Sequence, residues 1–138
     1  MEAQQSRRLQ SDESETPRTV RDIMRGRPKT LAVTASMSDL RGLFVNPNVV
    51  MALIVEQDGA LVGVVERSSV TATELPDETP IEGLVQREVD AIDVRAPASE
   101  VWTHPDLART GRLVVLEPDG KTLAGLVCAR PAGGGFCQ

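Results

Sequence analysis

The chain has no tyrosine, one tryptophan and two phenylalanines among its 138 residues, and its net charge is −5. Surfaces that bind nucleic acid combine a basic stripe with aromatic platforms for the bases, so no nucleic acid is expected as a partner. Metal chemistry is equally short of material. One histidine, His104, and two cysteines, Cys128 and Cys137, fall below the four ligands of a structural zinc site. Two cysteines also make no disulfide framework, and Cys137 follows three glycines in a tail expected to move freely. The longest apolar stretches, such as residues 49–55, are far shorter than the roughly 20 residues that span a bilayer. No membrane partner is therefore expected. The N-terminal stretch is polar, without the apolar run of a secretory signal, and the chain reads as cytoplasmic.

What is present is a repeat. Val20, Ile23 and Met24 recur as Ile81, Leu84 and Val85, sixty-one positions on. The same offset takes Val33 to Val94 and Ala35 to Ala96, and Glu56, Asp58 and Gly59 to Glu117, Asp119 and Gly120. One residue inserted near Thr122 then brings Leu61, Gly63 and Val65 onto Leu123, Gly125 and Val127. A fixed offset held across a helix, a strand and a hairpin marks a duplicated structural unit. The division this suggests is a disordered tail over 1–17, repeats over 18–75 and 76–130, and a flexible Gly-rich tail over 131–138.

Within the first copy, residues 20–24 form a short helical turn and 30–33 a strand. Ser36 caps a helix with Asp39 three residues on, and Met37, Leu40, Leu43 and Phe44 give it one apolar face. Asn46-Pro47-Asn48 stops it. Residues 50–55 are nearly all apolar, as in a strand covered on both faces. Gln57-Asp58-Gly59 then turns the chain, glycine accepting the positive φ a tight hairpin demands, and 61–65 return. The second copy opens on Thr79 as cap, Pro80 as first helical residue and Glu82 closing a capping box. It continues with a strand at 91–94, a helix from Ser99 that Pro105 disturbs, and a hairpin of 112–116 and 122–128. A unit of this size is marginal alone, so the copies should pack face to face.

That order resembles the CBS domain family, named after cystathionine β-synthase. The resemblance rests on Thr19-Val20-Arg21-Asp22-Ile23-Met24, on Pro28-Lys29-Thr30-Leu31 and on Glu56-Gln57-Asp58-Gly59-Ala60-Leu61-Val62-Gly63-Val64-Val65. Thr79-Pro80-Ile81, Arg112-Leu113-Val114-Val115-Leu116-Glu117-Pro118-Asp119-Gly120 and Leu123-Ala124-Gly125-Leu126-Val127 carry it in the second copy. It implies an α/β (α+β) fold: two β-α-β-β units packed through their sheets as a pseudo-two-fold pair, with two clefts between them. It further implies a non-catalytic regulatory or sensory module, homodimeric, taking an adenosine compound such as AMP, ATP or S-adenosylmethionine. The alternative is a ligand-free scaffold for dimerisation or for docking an unknown protein partner.

In that family a strand-end hydroxyl meets phosphate, an Asp accepts from the ribose, and backbone groups of the first strand read the base. Carried over, these roles fall on Thr30 and Leu31 for the base and on Val65, Glu66, Arg67 and Ser69 for phosphate and ribose. Glu66 stands at the hydroxyl position and Ser69 at the Asp position; in the second copy Cys128 and Pro131 stand there. The first cleft is therefore the expected ligand site. Arg67 and Arg130 close strand ends, and Glu66 with Arg67 reads as a charge pair. No nucleophile accompanies His104, which reads as a solvent-facing side chain, and no catalytic residue or metal ligand is assigned. Trp102 reads as a packing residue and Cys128 as an inert buried thiol.

Overall fold

A computed structural model describes residues 18–129 and Phe136. The expectations for 1–17, Arg130, Pro131, Cys137 and the glycine tail lie outside the described residues. The first repeat runs through α1 (Val20–Ile23), β1 (Thr30–Ala32), α2 (Met37–Leu43), β2 (Met51–Val55), β3 (Leu61–Glu66) and α3 (Arg67–Thr71). The second runs through a 3-10 turn (Ile81–Leu84), β4 (Ala91–Asp93), a second 3-10 turn (Ala98–Thr103), α4 (Pro105–Thr110), β5 (Arg112–Leu116) and β6 (Leu123–Cys128). Each forms a three-stranded sheet, β1-β2-β3 and β4-β5-β6, with the first pair parallel and the second antiparallel. The ladders even share a register shift, at Ile54/Val55 and at the matching Val115/Leu116.

The leading turn of each repeat belongs to the core of the other. Val20 is fully buried among Val94, Val101, Leu107 and Leu113 of the second repeat. Its amide donates to the Ala96 carbonyl at 2.9 Å, and the Arg21 amide donates to Val94 at 3.1 Å. In the mirror arrangement Ile81 is buried among Met37, Leu40, Ala52 and Ile54, and its amide donates to Ala35 at 3.1 Å. Burying each such side chain stabilises the pair by about 1.5–3 kcal/mol. A third apolar layer, with Met51, Leu53, Val64 and Val114 at its centre, fills the space between the sheets. The hairpin tips also join: Leu61 N–H donates to the Lys121 carbonyl at 2.8 Å and Leu123 N–H to Gly59 at 3.1 Å.

After its leading turn, each chain segment crosses the closing strand of the opposite repeat. Gln86 and Val64 exchange backbone hydrogen bonds of 2.8 and 3.0 Å, and Arg25 and Leu126 do the same at 2.8 and 3.0 Å. Such close approach needs a neighbour without a side chain. A Cβ at Gly63 would overlap the Gln86 carbonyl, and one at Gly125 would overlap that of Arg25.

A capping box on Thr19, whose amide donates to Asp22 Oδ2 at 2.9 Å, opens the first turn. Most expected elements are present, with three corrections. At the second turn Pro80 itself is the cap and no side-chain cap bond forms, so the Thr79–Glu82 box is absent. Pro105 does not break a helix but starts one: the 3-10 turn ends before it and α4 begins on it, where its missing N–H costs nothing. Finally α3 follows directly on β3, a helix too short and too weakly patterned to read beforehand.

The crossings yield a test. Gly63→Ala is expected to destabilise the protein by about 1–3 kcal/mol through forced separation of the two backbones. Gly42→Ala, in α2 with open space around it, should instead stabilise by about 0.5–1 kcal/mol. Urea unfolding of both variants checks the contrast.

Candidate functional site

One crossing opens a cavity of about 550 Å³, within the range of small-molecule sites. Its walls come from both repeats. Arg25, Arg27, Pro28 and Lys29 precede β1; Asn46, Asn48, Val49, Val50, Met51 and Leu53 lie on the α2–β2 loop and β2. The second repeat adds Arg112 at the start of β5 and Leu126 and Cys128 on β6. Among the described residues, four cationic side chains and no carboxylate line it.

Arg112 reaches across the repeats. Its Nη2 donates to the Asn48 carbonyl at 3.0 Å and its Nη1 to the Gly111 carbonyl at 3.1 Å. Burial, and then the charge of Arg25 nearby, hold its pKa below the usual arginine value. Both causes disfavour the cation, so an anion placed in this cavity would relieve a strain already there. Arg27 and Lys29 are exposed to solvent.

None of the six residues suggested by the sequence lines this cavity. Arg67 stands behind it: Nε and Nη2 donate to the Val49 carbonyl at 3.0 and 2.7 Å, and Nη2 also to Asn46 at 2.7 Å. With its guanidinium 5.0 Å over the Phe44 ring, it fixes the loop that forms one wall. Thr30 is exposed on β1 beside Lys29, and Leu31 packs partly buried against the first core. Val65 is fully buried in that same core. Ser69 lies half-buried on α3.

Glu66 does not pair with Arg67. It takes a two-pronged hydrogen bond from Arg109 of the opposite repeat, Nη1 to Oε1 at 3.0 Å and Nη2 to Oε2 at 2.7 Å. Arg109 also reaches Asp106 at 3.0 Å. This bonding, above all, holds the Glu66 carboxyl below its ordinary value, and Arg109 is correspondingly raised. His104 is not solvent-facing either. Its Nδ1 lies 2.7 Å from Asp90 Oδ1, with both side chains mostly covered, and Asp90 Oδ2 accepts the Asp106 amide at 3.3 Å.

One smaller expectation also changes. Cys128 is disulfide-bonded rather than a free thiol. Trp102 is about half exposed and stacks on Phe136 at 5.2 Å. The signal overlooked in the sequence is the alternation Arg25-x-Arg27-x-Lys29 before β1. Its importance depends on the crossing, which brings this segment against Leu126–Cys128 rather than against the end of β3.

The family model for the CBS domain matches residues 20–73. A search of curated proteins finds no match. Among solved structures, an acetoin utilization protein (AcuB) from Vibrio cholerae is 24% identical with a TM-score of 0.71, over 81% of this chain and 84% of that one. CBSX2 in complex with AMP is 22% identical with a TM-score of 0.67, over 80% and 89%. The CBS domain pair of protein MJ0100, in complex with 5′-methylthioadenosine and S-adenosyl-L-methionine, is 20% identical with a TM-score of 0.66, over 81% and 90%. Residues 20–73 thus match the CBS domain, and the chain as a whole has the fold of a CBS-domain pair. Among the described residues no helix is long and apolar enough to cross a membrane.

The Glu66–Arg109 bond makes stability depend on pH in a defined direction. A carboxyl depressed in the folded state adds stability fully present above its ordinary value of 4.5 and lost as the pH falls through the lower folded value. Arg109→Ala should cost about 1 kcal/mol near neutrality, and the difference from the parent should vanish in acid. Carboxyl NMR titration should show Glu66 rising toward 4.5 in that variant.

Proposed function

We propose that the chain is a non-catalytic regulatory module that binds an adenosine-type ligand in the basic cavity between its repeats. The observation that carries this reading is the cavity itself, which draws cations from both repeats onto one volume. AMP and ATP suit it better than S-adenosylmethionine, whose sulfonium adds a positive charge to a site already crowded with them. The complexes of CBSX2 with AMP and of MJ0100 with S-adenosylmethionine support the class of ligand for a fold of this kind.

In this reading Arg27 and Lys29 from the first repeat (taken as 18–75) and Arg112 from the second (76–130) hold the phosphate. The apolar side chains of Val50, Leu53 and Leu126 flank the base. Thr30 and Leu31 follow Lys29 on β1 without lining the cavity, and Arg67 keeps the opposite loop in place. Of the other three residues the sequence suggests, Val65 and Ser69 support the fold of the first repeat, and Glu66 ties the two repeats together. A ligand gripped from both sides resists their separation and so stiffens the pair. That change is what a homodimeric copy or an unidentified protein partner would read.

Calorimetry against AMP, ATP and S-adenosylmethionine tests the proposal. ATP should bind, and Arg112→Ala should weaken it at least about tenfold, the loss of one charge-assisted contact. No heat with any of the three, in a protein that sediments as a dimer, would leave the ligand-free scaffold instead. A cytoplasmic location is part of the same proposal, and it predicts that the disulfide Cys128 makes in the structure is opened in the reducing interior of the cell. Thiol trapping at lysis reads this directly. A fully oxidised Cys128 would place the protein in an oxidising compartment.

A further inference from the structure

Cys128 is disulfide-bonded, and the chain's other cysteine is Cys137, the residue after Phe136. Phe136 in turn pairs with Ala129, the residue after Cys128, as an antiparallel bridge. In an antiparallel pair the position before one residue faces the position after its partner. The bridge therefore sets position 128 across from position 137. Directly opposed residues hold their Cβ atoms about 4.5–5.5 Å apart, close to the roughly 3.5–4.5 Å across a disulfide. Composition and register give the same bonding partner by separate routes.

The end of the chain that this bond ties down covers an apolar surface. Phe136 packs against the core cluster that holds Val20, Val94, Val101 and Leu107. Its ring stacks on Trp102, with centroids 5.2 Å apart and planes 24° from parallel. Trp102 is the chain's one tryptophan and still keeps 51% of its surface in water. A single bridge and a single ring pair are weak beside the entropy of ordering a chain end, so the covalent link decides whether Phe136 stays down. The other half of the bond is firmly held. Cys128 is buried at the end of β6 opposite Arg112, and the Ala129 amide next to it donates to the Gly111 carbonyl at 2.8 Å.

We infer that Cys128 and Cys137 form a redox clasp on the second repeat. Closed as a disulfide, it holds Phe136 over Trp102; opened to two thiols, it releases Phe136 and turns that face of Trp102 to water. Opening is a thiol–disulfide exchange with a dithiol reductant. One thiolate of the reductant attacks a sulfur of the clasp, and the second then resolves the mixed disulfide. The S–S bond of the protein breaks and that of the reductant forms, while two electrons and two protons pass to Cys128 and Cys137. A small-molecule disulfide reverses each step. In the cytoplasmic setting proposed above the open form is the resting one, and closure reports an oxidised thiol pool.

Alkylation and tryptophan fluorescence of the full chain test the clasp. Oxidised protein should migrate as a monomer under denaturing, non-reducing conditions and take up no iodoacetamide; after dithiothreitol it should take up two. Reduction should shift the Trp102 emission to the red, and oxidised glutathione should restore it. Cys137→Ser, with its circular dichroism unchanged, should show the red-shifted emission with and without reductant. Phe136→Ala keeps both cysteines, so it should retain the change in alkylation and lose the change in emission. A disulfide that links two chains, or an emission change that survives in Cys137→Ser, would overturn the clasp. So would an emission that reduction leaves unmoved in the parent protein.

Discussion

The structure depends on two places where one backbone lies directly on another. At Gly63 against Gln86, and at Gly125 against Arg25, a lead-in segment exchanges a pair of hydrogen bonds with the closing strand of the other repeat. Only glycine leaves room for that approach. Once the crossings are made, the rest follows from apolar burial. Val20 and Ile81 are carried into the opposite cores, the two sheets are held face to face, and the space beside the crossing of Arg25 over Leu126 becomes a cleft. The site is thus a by-product of the contact that joins the repeats, and it has no existence in either repeat alone.

Symmetry of the scaffold and asymmetry of the side chains are separate facts with separate causes. The backbone repeats down to its register shifts, because the apolar residues that set the ladders are alike in both copies. The polar residues beside the crossings are under no such constraint. Arg27 and Glu88, at matching positions of the two copies, are both exposed, and neither supports the fold, so their charges can differ without cost to packing.

The fold was legible because its signals are local and doubled. Apolar runs at β2 and β5, turns at Gly59 and Gly120 with positive φ, and the capped helix from Ser36 all recur or sit at recognisable spacing. What was misread turns on context. Pro105 looks like a breaker until the preceding turn is seen to be 3-10 and to end before it. Thr79 and Glu82 have the spacing of a capping box, yet Pro80 occupies the cap itself. The site was less legible still. Val65 and Glu66 end β3 and Ser69 lies on α3 just after it, and the repeat makes it natural to join them to Thr30 and Leu31 of the same copy. The crossings pair each closing strand with the lead-in of the other copy, and nothing within one repeat records that exchange. A lone arginine such as Arg67 likewise gives no sign of whether it faces a ligand or holds the loop beside one.

The exchange of leading turns carries an evolutionary consequence. A chain with a single repeat could not fill its own core, but two such chains could complete each other by trading turns, as a two-fold dimer with identical clefts. Joining the copies end to end preserves every one of those contacts while making the partnership permanent. It also frees the halves from being the same. In a symmetric dimer a change at position 27 alters both clefts at once; in the fused chain positions 27 and 88 drift apart independently. Duplication in this protein is therefore what allows a basic cavity beside one closing strand and an ion pair between the repeats, Glu66 with Arg109, at the end of the other.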